Sequence, residues 1–568
     1  MALATVRPIA RTSHETLHET LRGGPRCRRD RDSAANAEVR TEVQFAVGTS
    51  YQMPTGDFSA GPGAPIRETE RRKAAGEERL RDIKAREGSH GHTDATPPRH
   101  GDTDAPSSQA TIQGPSSHSV ITGASGGCKT NSTTQYAPSD IHGAVGHAYV
   151  VVVTNVDVGV YAKSNCALIS RVPLTTLFGK FNIPSTQTLF DPRVLYDPSV
   201  DRFLVTADSD DSTNTDQYQY FAVSSDETAD ISWYTYSVIL SQGQGANIFC
   251  KNDVNDFWDY PSAGSSSTRW FITANDFGNV NATGAILSID KLASITAQTT
   301  NSAVPVLCLN GLATNLAPPI VTDAGSTAYF LSDGGNGFGN AILSYALTVA
   351  PAGPLNDTLS SPVRIPVPSW SAAPQAPQPN GQNLDTLDGR FQSASIQTGT
   401  SLWNVHAINV RNGSRNYARW RLYQFSTATN SATVLATPTT SDCANCDHLF
   451  NPSVAVSSGK AFVTASRTMP SKGTAGYAAM LIFAGPSTCS WGSLNCSAVF
   501  NRIVTSGTQF VSDGFGHPCN RTDIQACRWG DYSATQIDPL NPASAWGFNQ
   551  LITGSTEFNW TTDAAQVQ

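Results

Sequence analysis

An all-β fold, a β-propeller of four-stranded blades, is what this sequence predicts. Three observations carry the prediction. A two-strand pattern recurs seven times from about residue 140 to the end of the chain. Each copy is punctuated by Gly, Pro, Asp or Ser turns, in a chain with 45 Gly and 33 Pro, so the strands must be short. Only 15% of residues are charged, well below the ~25% of ordinary globular chains, while Ser, Thr and Asn abound, which suits a turn-rich β protein. Seven blades are the leading count, with six and eight as alternatives.

The first 115 residues stand apart. Residues 1–100 carry 17 Lys and Arg against 14 Asp and Glu, a net +3, whereas the remainder is net −11. This leader is rich in Arg, Gly, Pro and His and poor in aliphatic residues. It cannot bury enough apolar surface to offset chain entropy, so residues 1–115 read as disordered. It lacks the apolar core of a secretory signal, and its many acidic residues argue against a transit peptide. A disordered arm, a leader for an unusual export route and a start codon placed too far upstream all remain open. Gly114 to Gly127 reads as a linker into the propeller, residues 116–568. No apolar run reaches the ~18 residues of a membrane-spanning helix, and the formal net charge of −8 argues against nucleic acid as a partner.

Six copies of the repeat are clear. They start at Asp191 (DPRVLYDPSVDRFLVTA), Asp259 (DYPSAGSSSTRWFITAND), Pro318, Gly389, Asn451 (NPSVAVSSGKAFVTASR) and Gly530 (GDYSATQIDPLNPASAWGFNQLI). A fainter copy leads from Asp140. An aromatic residue opens the second strand of each: Tyr149, Phe203, Trp270, Tyr329, Trp403, Phe462 and Trp546, at a mean spacing of about 66 residues. These aromatics read as packing between blades. Third and fourth strands follow in most copies, rich in β-branched and aromatic residues. The seventh copy ends after a third strand near Glu557 to Thr561, and a strand near Ser117 to Thr122 would complete it as the outer strand. Joining both chain ends in one blade removes the open sheet edges.

The stretches Asp191 to Ala207, Trp258 to Phe277, Leu384 to Ala407 and Arg528 to Pro539 resemble repeats of a group of secreted, largely uncharacterised, mostly bacterial β-propeller proteins of sialidase-like architecture. DYP…TANDF and RWGDYS are the most specific of these motifs. The resemblance spans roughly residues 140–560 and implies a propeller and an exported location, with no settled activity. True sialidases carry repeated S-x-D-x-G-x-x-W boxes, which this chain lacks. Its one Arg-Ile-Pro, Arg364 to Pro366, falls in an outer strand.

Eleven cysteines are present, and ten follow the leader. An even number fits disulfides in an oxidising compartment. Pairing between near neighbours suggests Cys443–Cys446, Cys489–Cys496 and Cys519–Cys527, which leaves Cys128–Cys166 and Cys250–Cys308. A zinc site on Cys443-x-x-Cys446 would need a second close pair that the sequence does not supply.

The innermost strands of a propeller converge on its axis, so residues near the start of each repeat should meet there. That places Asp191, Asp259, Asp388, Asp531 and Tyr532 as catalytic candidates, with Arg193, Tyr260, Arg390 and Trp529 as ligand-binding ones. Asp323, His448 and Asn451 occupy similar positions. The competing role of such residues is structural, since Asp before Pro or Gly is ordinary turn chemistry. An acidic loop, Asp208, Asp210, Asp211 and Asp216, suits calcium, which takes six to eight oxygens. No nucleophile elbow, HExxH helix or phosphate-binding loop occurs.

The sequence thus points to an extracellular or cell-surface, monomeric propeller that binds a glycan or an extracellular protein. The alternative is a glycoside hydrolase or lyase that uses the axial Asp, Arg and Tyr residues. A third possibility, a purely structural ring, predicts an axis plugged by salt-bridged side chains.

Overall fold

The computed structural model describes residues 39–58, 66–67, 128–133, 136–155, 157–211, 214–226, 232–243, 247–278, 282–300, 303–335, 337–351, 355–438, 447–471, 476–491, 500–506, 508, 510, 526–556 and 559–567. The chain is nearly all β. Its strands fall into successive antiparallel meanders, here called units. Unit 1 runs through His142–Val145, Tyr149–Val153, Asp157–Ala162 and Leu168–Pro173. Unit 2 is Gln187–Asp197, Arg202–Asp211, Gln217–Ser224 and Ser232–Gln242. Unit 3 is Phe257–Ser265, Arg269–Phe277, Ala282–Asp290 and Val304–Leu312. In unit 4 the inner strand is split into Leu316–Ala317 and Pro319–Val321, followed by Thr327–Ser332, Phe338–Thr348 and Val363–Ser371. Units 5 and 6 are Ser395–Thr398, Ser401–Asn412, Arg415–Ser426, Ser431–Ala436, and His448–Ser457, Lys460–Thr468, Ala479–Pro486, Phe500–Ser506. Unit 7 is Ala534–Asp538, Asn541–Ile552 and Trp560–Val567, completed by Cys128–Thr133 from the other end of the sequence.

The inner strand of each unit packs against that of the next, and unit 7 packs back on unit 1, so the order closes into a ring. The inner strands are buried on both faces. Phe257–Ser265 and Arg269–Phe277 have no exposed residue, whereas the outer strand Val363–Ser371 shows five. This gradient explains the hydropathy: inner strands are covered by neighbouring units, outer ones face water on one side. All seven repeat aromatics lie in second strands, and Phe203, Trp270, Trp403, Phe462 and Trp546 are buried. They pack within and between units, as expected.

The sequence closes the ring as anticipated, but with a different strand. The pairing partner is Cys128–Thr133, and unit 7's third strand runs on to Val567 rather than ending near Thr561. Ser117 to Thr122 lie outside the described residues. The expectation of a structureless leader also needs correction. Arg40–Gln52 is a thirteen-residue strand, and Gly56–Asp57 pairs in parallel with the outer strand of unit 1. Local composition suggested disorder, but the missing stabilisation comes from distant sheet edges.

Short inner-strand motifs have a common local cause. Asp191, Tyr260 and Asn451 adopt positive φ of 47°, 60° and 47°. Each precedes Pro and sits in a β-bulge, between Phe190 and Arg193, Asp259 and Ser262, and Phe450 and Ser453. Asp and Asn tolerate the left-handed region better than most residues, and a bulge asks no ladder N–H of the Pro. The bulge turns the next side chains toward the axis.

Cys128–Cys166 and Cys250–Cys308 form disulfides, as expected. Cys489 and Cys527 are also disulfide-bonded. Their partners, with Cys443 and Cys446, lie outside the described residues. Cys250 and Cys308 are separated by 58 positions. Closing a loop of that length removes up to about 4 kcal/mol of chain entropy from the unfolded state. A C250S/C308S variant is therefore expected to unfold at clearly lower urea concentration with an unchanged far-ultraviolet spectrum. An unchanged midpoint would refute this.

Candidate functional site

Strand direction fixes which loops share an end of the ring. In a four-stranded meander the hairpin between second and third strands emerges at the end where the first strand begins. The connection from outer strand to next inner strand returns there too. All the candidate residues near repeat starts therefore belong to one face.

On the axis below that face, side chains from distant repeats meet. The Tyr532 hydroxyl donates to Asp191 Oδ2 at 2.6 Å, and the Arg193 guanidinium lies over the Tyr532 ring, 3.2 Å from its centre. The Tyr260 ring sits 5.3 Å from that of Tyr532. Arg390 covers Tyr260 at 4.3 Å and is held by Asp388 through two bonds of 2.7 and 2.8 Å. Unit 1 joins through Asp140, which accepts from the Asp531 backbone N–H and from Asn155 Nδ2, both at 2.6 Å. Unit 6 joins through Asn451, whose Oδ1 accepts from Gln392 at 3.0 Å. Arg528 pairs with Asp531 at 3.0 Å.

Asp191, Arg193, Tyr260, Arg390, Asp388, Asp531 and Tyr532 are thus one connected web. It is closed to solvent: Asp191, Arg193, Tyr260, Arg390, Asp531 and Tyr532 are all buried, and Asp388 alone is half-buried. Burial pushes both phenols, Tyr260 and Tyr532, up from the usual tyrosine range. Asp259 is buried beside Asp208, and Asp191 lies near both. Burial, and then the charges of Asp191 and Asp259, hold the Asp208 carboxyl well above the usual range. Gln219 lies next to it but donates to the Ala207 carbonyl at 3.0 Å. Both Asp208 oxygens, Arg193 Nη1 and Nη2 and the Tyr260 hydroxyl have no hydrogen-bond partner among the described residues.

Other expected residues go elsewhere. Trp529 is a core residue, packed on Phe450 with its N–H donated to Ser466 at 2.9 Å. Asp323 caps an outer loop through the Gly325 and Gly399 N–H groups. The calcium set does not assemble: Asp208 faces the axis, Asp211 accepts from Thr186, and Asp216 accepts from the Gly243 N–H. Asp210 alternates with Asp211 along the same strand. Among the described residues no group of three or more His, Cys, Asp or Glu is placed to hold a metal ion.

An open concavity lies off the axis on the same face. A groove of about 360 Å³ is lined by Gln375, Asn383, Arg415, Asn416, Tyr417, His448 and Ser471, with Pro374, Pro377 and Pro470. The lining comes from the connection into unit 5, the unit 5 hairpin, the start of unit 6 and the unit 6 loop after Thr468. The rings of Tyr417 and His448 lie 5.4 Å apart, and Arg419 stands 5.5 Å over Tyr417. His448 Nδ1 accepts from the Ala418 N–H. Burial, and then Arg419, lower its pKa to about 3, so this imidazole is neutral at physiological pH. Arg415 and Asn416 are exposed. None of the ten lining residues is an Asp or Glu. Of these, sequence reading singled out His448 alone. Arg415 to Tyr417 sit on a hairpin tip, where the sequence offers only a Gly-Ser turn.

No protein-family model and no curated protein matches this chain. Among solved structures, the α-L-arabinofuranosidase Arb93A from Fusarium graminearum is 11% identical, over 79% of this chain and 98% of that one, with a TM-score of 0.34. The phage phi92 endosialidase is 7% identical over 79% and 68%, at 0.32. An exo-1,5-α-L-arabinanase from a bovine ruminal metagenomic library is 8% identical over 66% and 98%, at 0.30. Likeness at this level carries no argument; the strand pairings carry the fold.

Proposed function

We propose that this chain is a seven-bladed, extracellular propeller that binds an acidic glycan in the groove between units 5 and 6. The observation that carries this is the groove itself: an open site with one exposed guanidinium, Arg415, beside the Tyr417 ring and several amides. A guanidinium grips a carboxylate with two parallel hydrogen bonds, an aromatic ring takes the apolar face of a sugar, and Asn and Gln meet hydroxyls. A lining without carboxylates favours binding over glycoside hydrolysis, which uses a pair of them. The disulfide-bonded cysteines fit an oxidising compartment, and the resemblance to secreted propellers points the same way.

The test is a screen of neutral and carboxylated oligosaccharides, followed by titration of the best binder. R415A is expected to weaken binding of a carboxylated glycan roughly tenfold or more, since a charged hydrogen bond contributes ~1.5–3 kcal/mol. The unfolding midpoint should not move, because Arg415 is exposed. Affinity should also fall with added salt. Equal binding of the wild type and R415A would overturn the site.

A second reading, a carbohydrate-active enzyme, is favoured by the buried set Asp191, Asp208 and Asp259, in which Asp208 is held toward its protonated form. It requires the axis to open to substrate. Turnover of any glycoside in the same screen, lost in D208N and D259N, would establish it over binding alone.

A further inference from the structure

The strand Arg40–Gln52 occupies an unusual place. Its first half, Arg40 to Ala46, pairs antiparallel with the outer strand of unit 3 over Val304 to Asn310. Its second half, Val47 to Gln52, pairs antiparallel with the outer strand of unit 2 over Ser232 to Ser237. One segment thus staples two sheet edges that would otherwise expose unpaired N–H and C=O groups. The inward residues are chosen for a narrow slot. Ala46 is fully buried among Tyr236, Val238, Val304 and Val306. A Cβ on Gly48 would fall 2.4 Å from Tyr236 Cε1. That ring cannot yield, because it stacks on Phe221 at 4.7 Å and its hydroxyl donates to the Ser294 carbonyl at 2.7 Å. Glu42 accepts from the Cys250 N–H.

The hold on this segment is mostly main-chain. Ala46 is its one buried residue, while Val43, Phe45 and Val47 are more than half exposed. An element with few buried contacts opens far below the global unfolding free energy. Residues 59–127 then separate it from the next described strand of unit 7, a length that lets the segment reach beyond its own ring.

We propose that the edges of units 2 and 3 form a strand-acceptor site, filled in the chain by residues 40–52 and able to take the same segment from a second copy. Recognition is by strand addition, with main-chain bonds for affinity and the Ala46 and Gly48 positions for specificity. The uncovered Val43, Phe45 and Val47 stripe leaves with the strand.

The experiment uses the full chain and a fluorescent peptide of residues 39–58. G48V in the full chain is expected to vacate the slot, so the peptide binds that variant saturably and binds the wild type at least ~10-fold more weakly, because its own strand competes. The peptide carrying G48V should bind neither. If G48V fails to fold, a protease site placed at residues 59–65 of the wild-type chain supplies the second measurement. After cutting, the severed arm should stay bound and exchange with excess labelled peptide. No binding to a cooperatively folded G48V chain, or a cut chain that neither retains nor exchanges the arm, would overturn the proposal. So would equal binding of the wild-type and G48V peptides.

Discussion

R269M is expected to cost about 3–5 kcal/mol of stability, the scale for removing one partner of a buried ion pair. Arg269 is completely buried and bonds two carboxylates at once, Asp290 at 2.7 Å and Asp357 at 3.2 Å, which are themselves buried. Each acid has further work. Asp290 Oδ1 accepts the Ala293 N–H at the start of the helix Lys291–Thr300. Asp357 accepts from Ser288 Oγ at 2.7 Å and from the Ala350 N–H at 2.9 Å, which ties a loop of unit 4 to unit 3. Removing the cation therefore leaves two anions in a dry site that cannot simply swing away. Urea unfolding followed by tryptophan fluorescence would measure the loss. D357N should cost less than R269M, since Asp290 still pairs with the arginine. The double variant R269M/D357N should cost less than the sum of the two single changes, because the partners are in contact. Strictly additive losses would show that the pair is not coupled.

Much of this architecture could be read from the residues, and the reason is local. A Pro after Asp, Tyr or Asn marks each of three inner-strand bulges, and an aromatic residue marks each second strand, so both strands of a repeat announce themselves. The axial convergence of Asp191, Arg193, Tyr260, Arg390, Asp531 and Tyr532 was legible for the same reason: equivalent positions in a closed ring must meet. What the residues could not say is that they would satisfy one another. Arg193 lies on Tyr532 across 339 positions, and that contact depends on the radius of the ring, which no repeat encodes. Trp529 shares the motif of Asp531 and Tyr532 yet turns into the core beside Phe450. The strand Arg40–Gln52 was hidden differently. Val43, Phe45 and Val47 do alternate, but three residues of period-two signal were outweighed by the polar leader around them. Its partners, more than 180 positions away, give no local sign. The groove was illegible because hairpin tips of units 5 and 6 build it, and tips have no pattern.

Asp208 makes the axial web testable through pH. Arg193 is the cation nearest to Asp191, Asp208 and Asp259 whose charge lowers the Asp208 pKa. R193M should cost about 3–5 kcal/mol at pH 7, since it strands buried carboxylates without their counter-charge. The loss should shrink in acid. A carboxyl whose folded pKa is raised contributes its stability fully below the unfolded value near 3.9, and loses it as pH rises through the folded value. Without Arg193 the Asp208 pKa moves higher still, so the penalty is greatest at neutral pH and smallest near pH 4. Measuring urea midpoints of R193M and wild type from pH 4 to pH 8 tests this, and D208N gives the control. In D208N the like-charge set loses one member, so its midpoint should fall less than that of wild type as pH rises, and adding R193M to it should cost less than in the parent. A loss for R193M that does not change with pH, or that grows toward acid, would mean that the guanidinium acts through packing on Tyr532 rather than by holding the carboxylates.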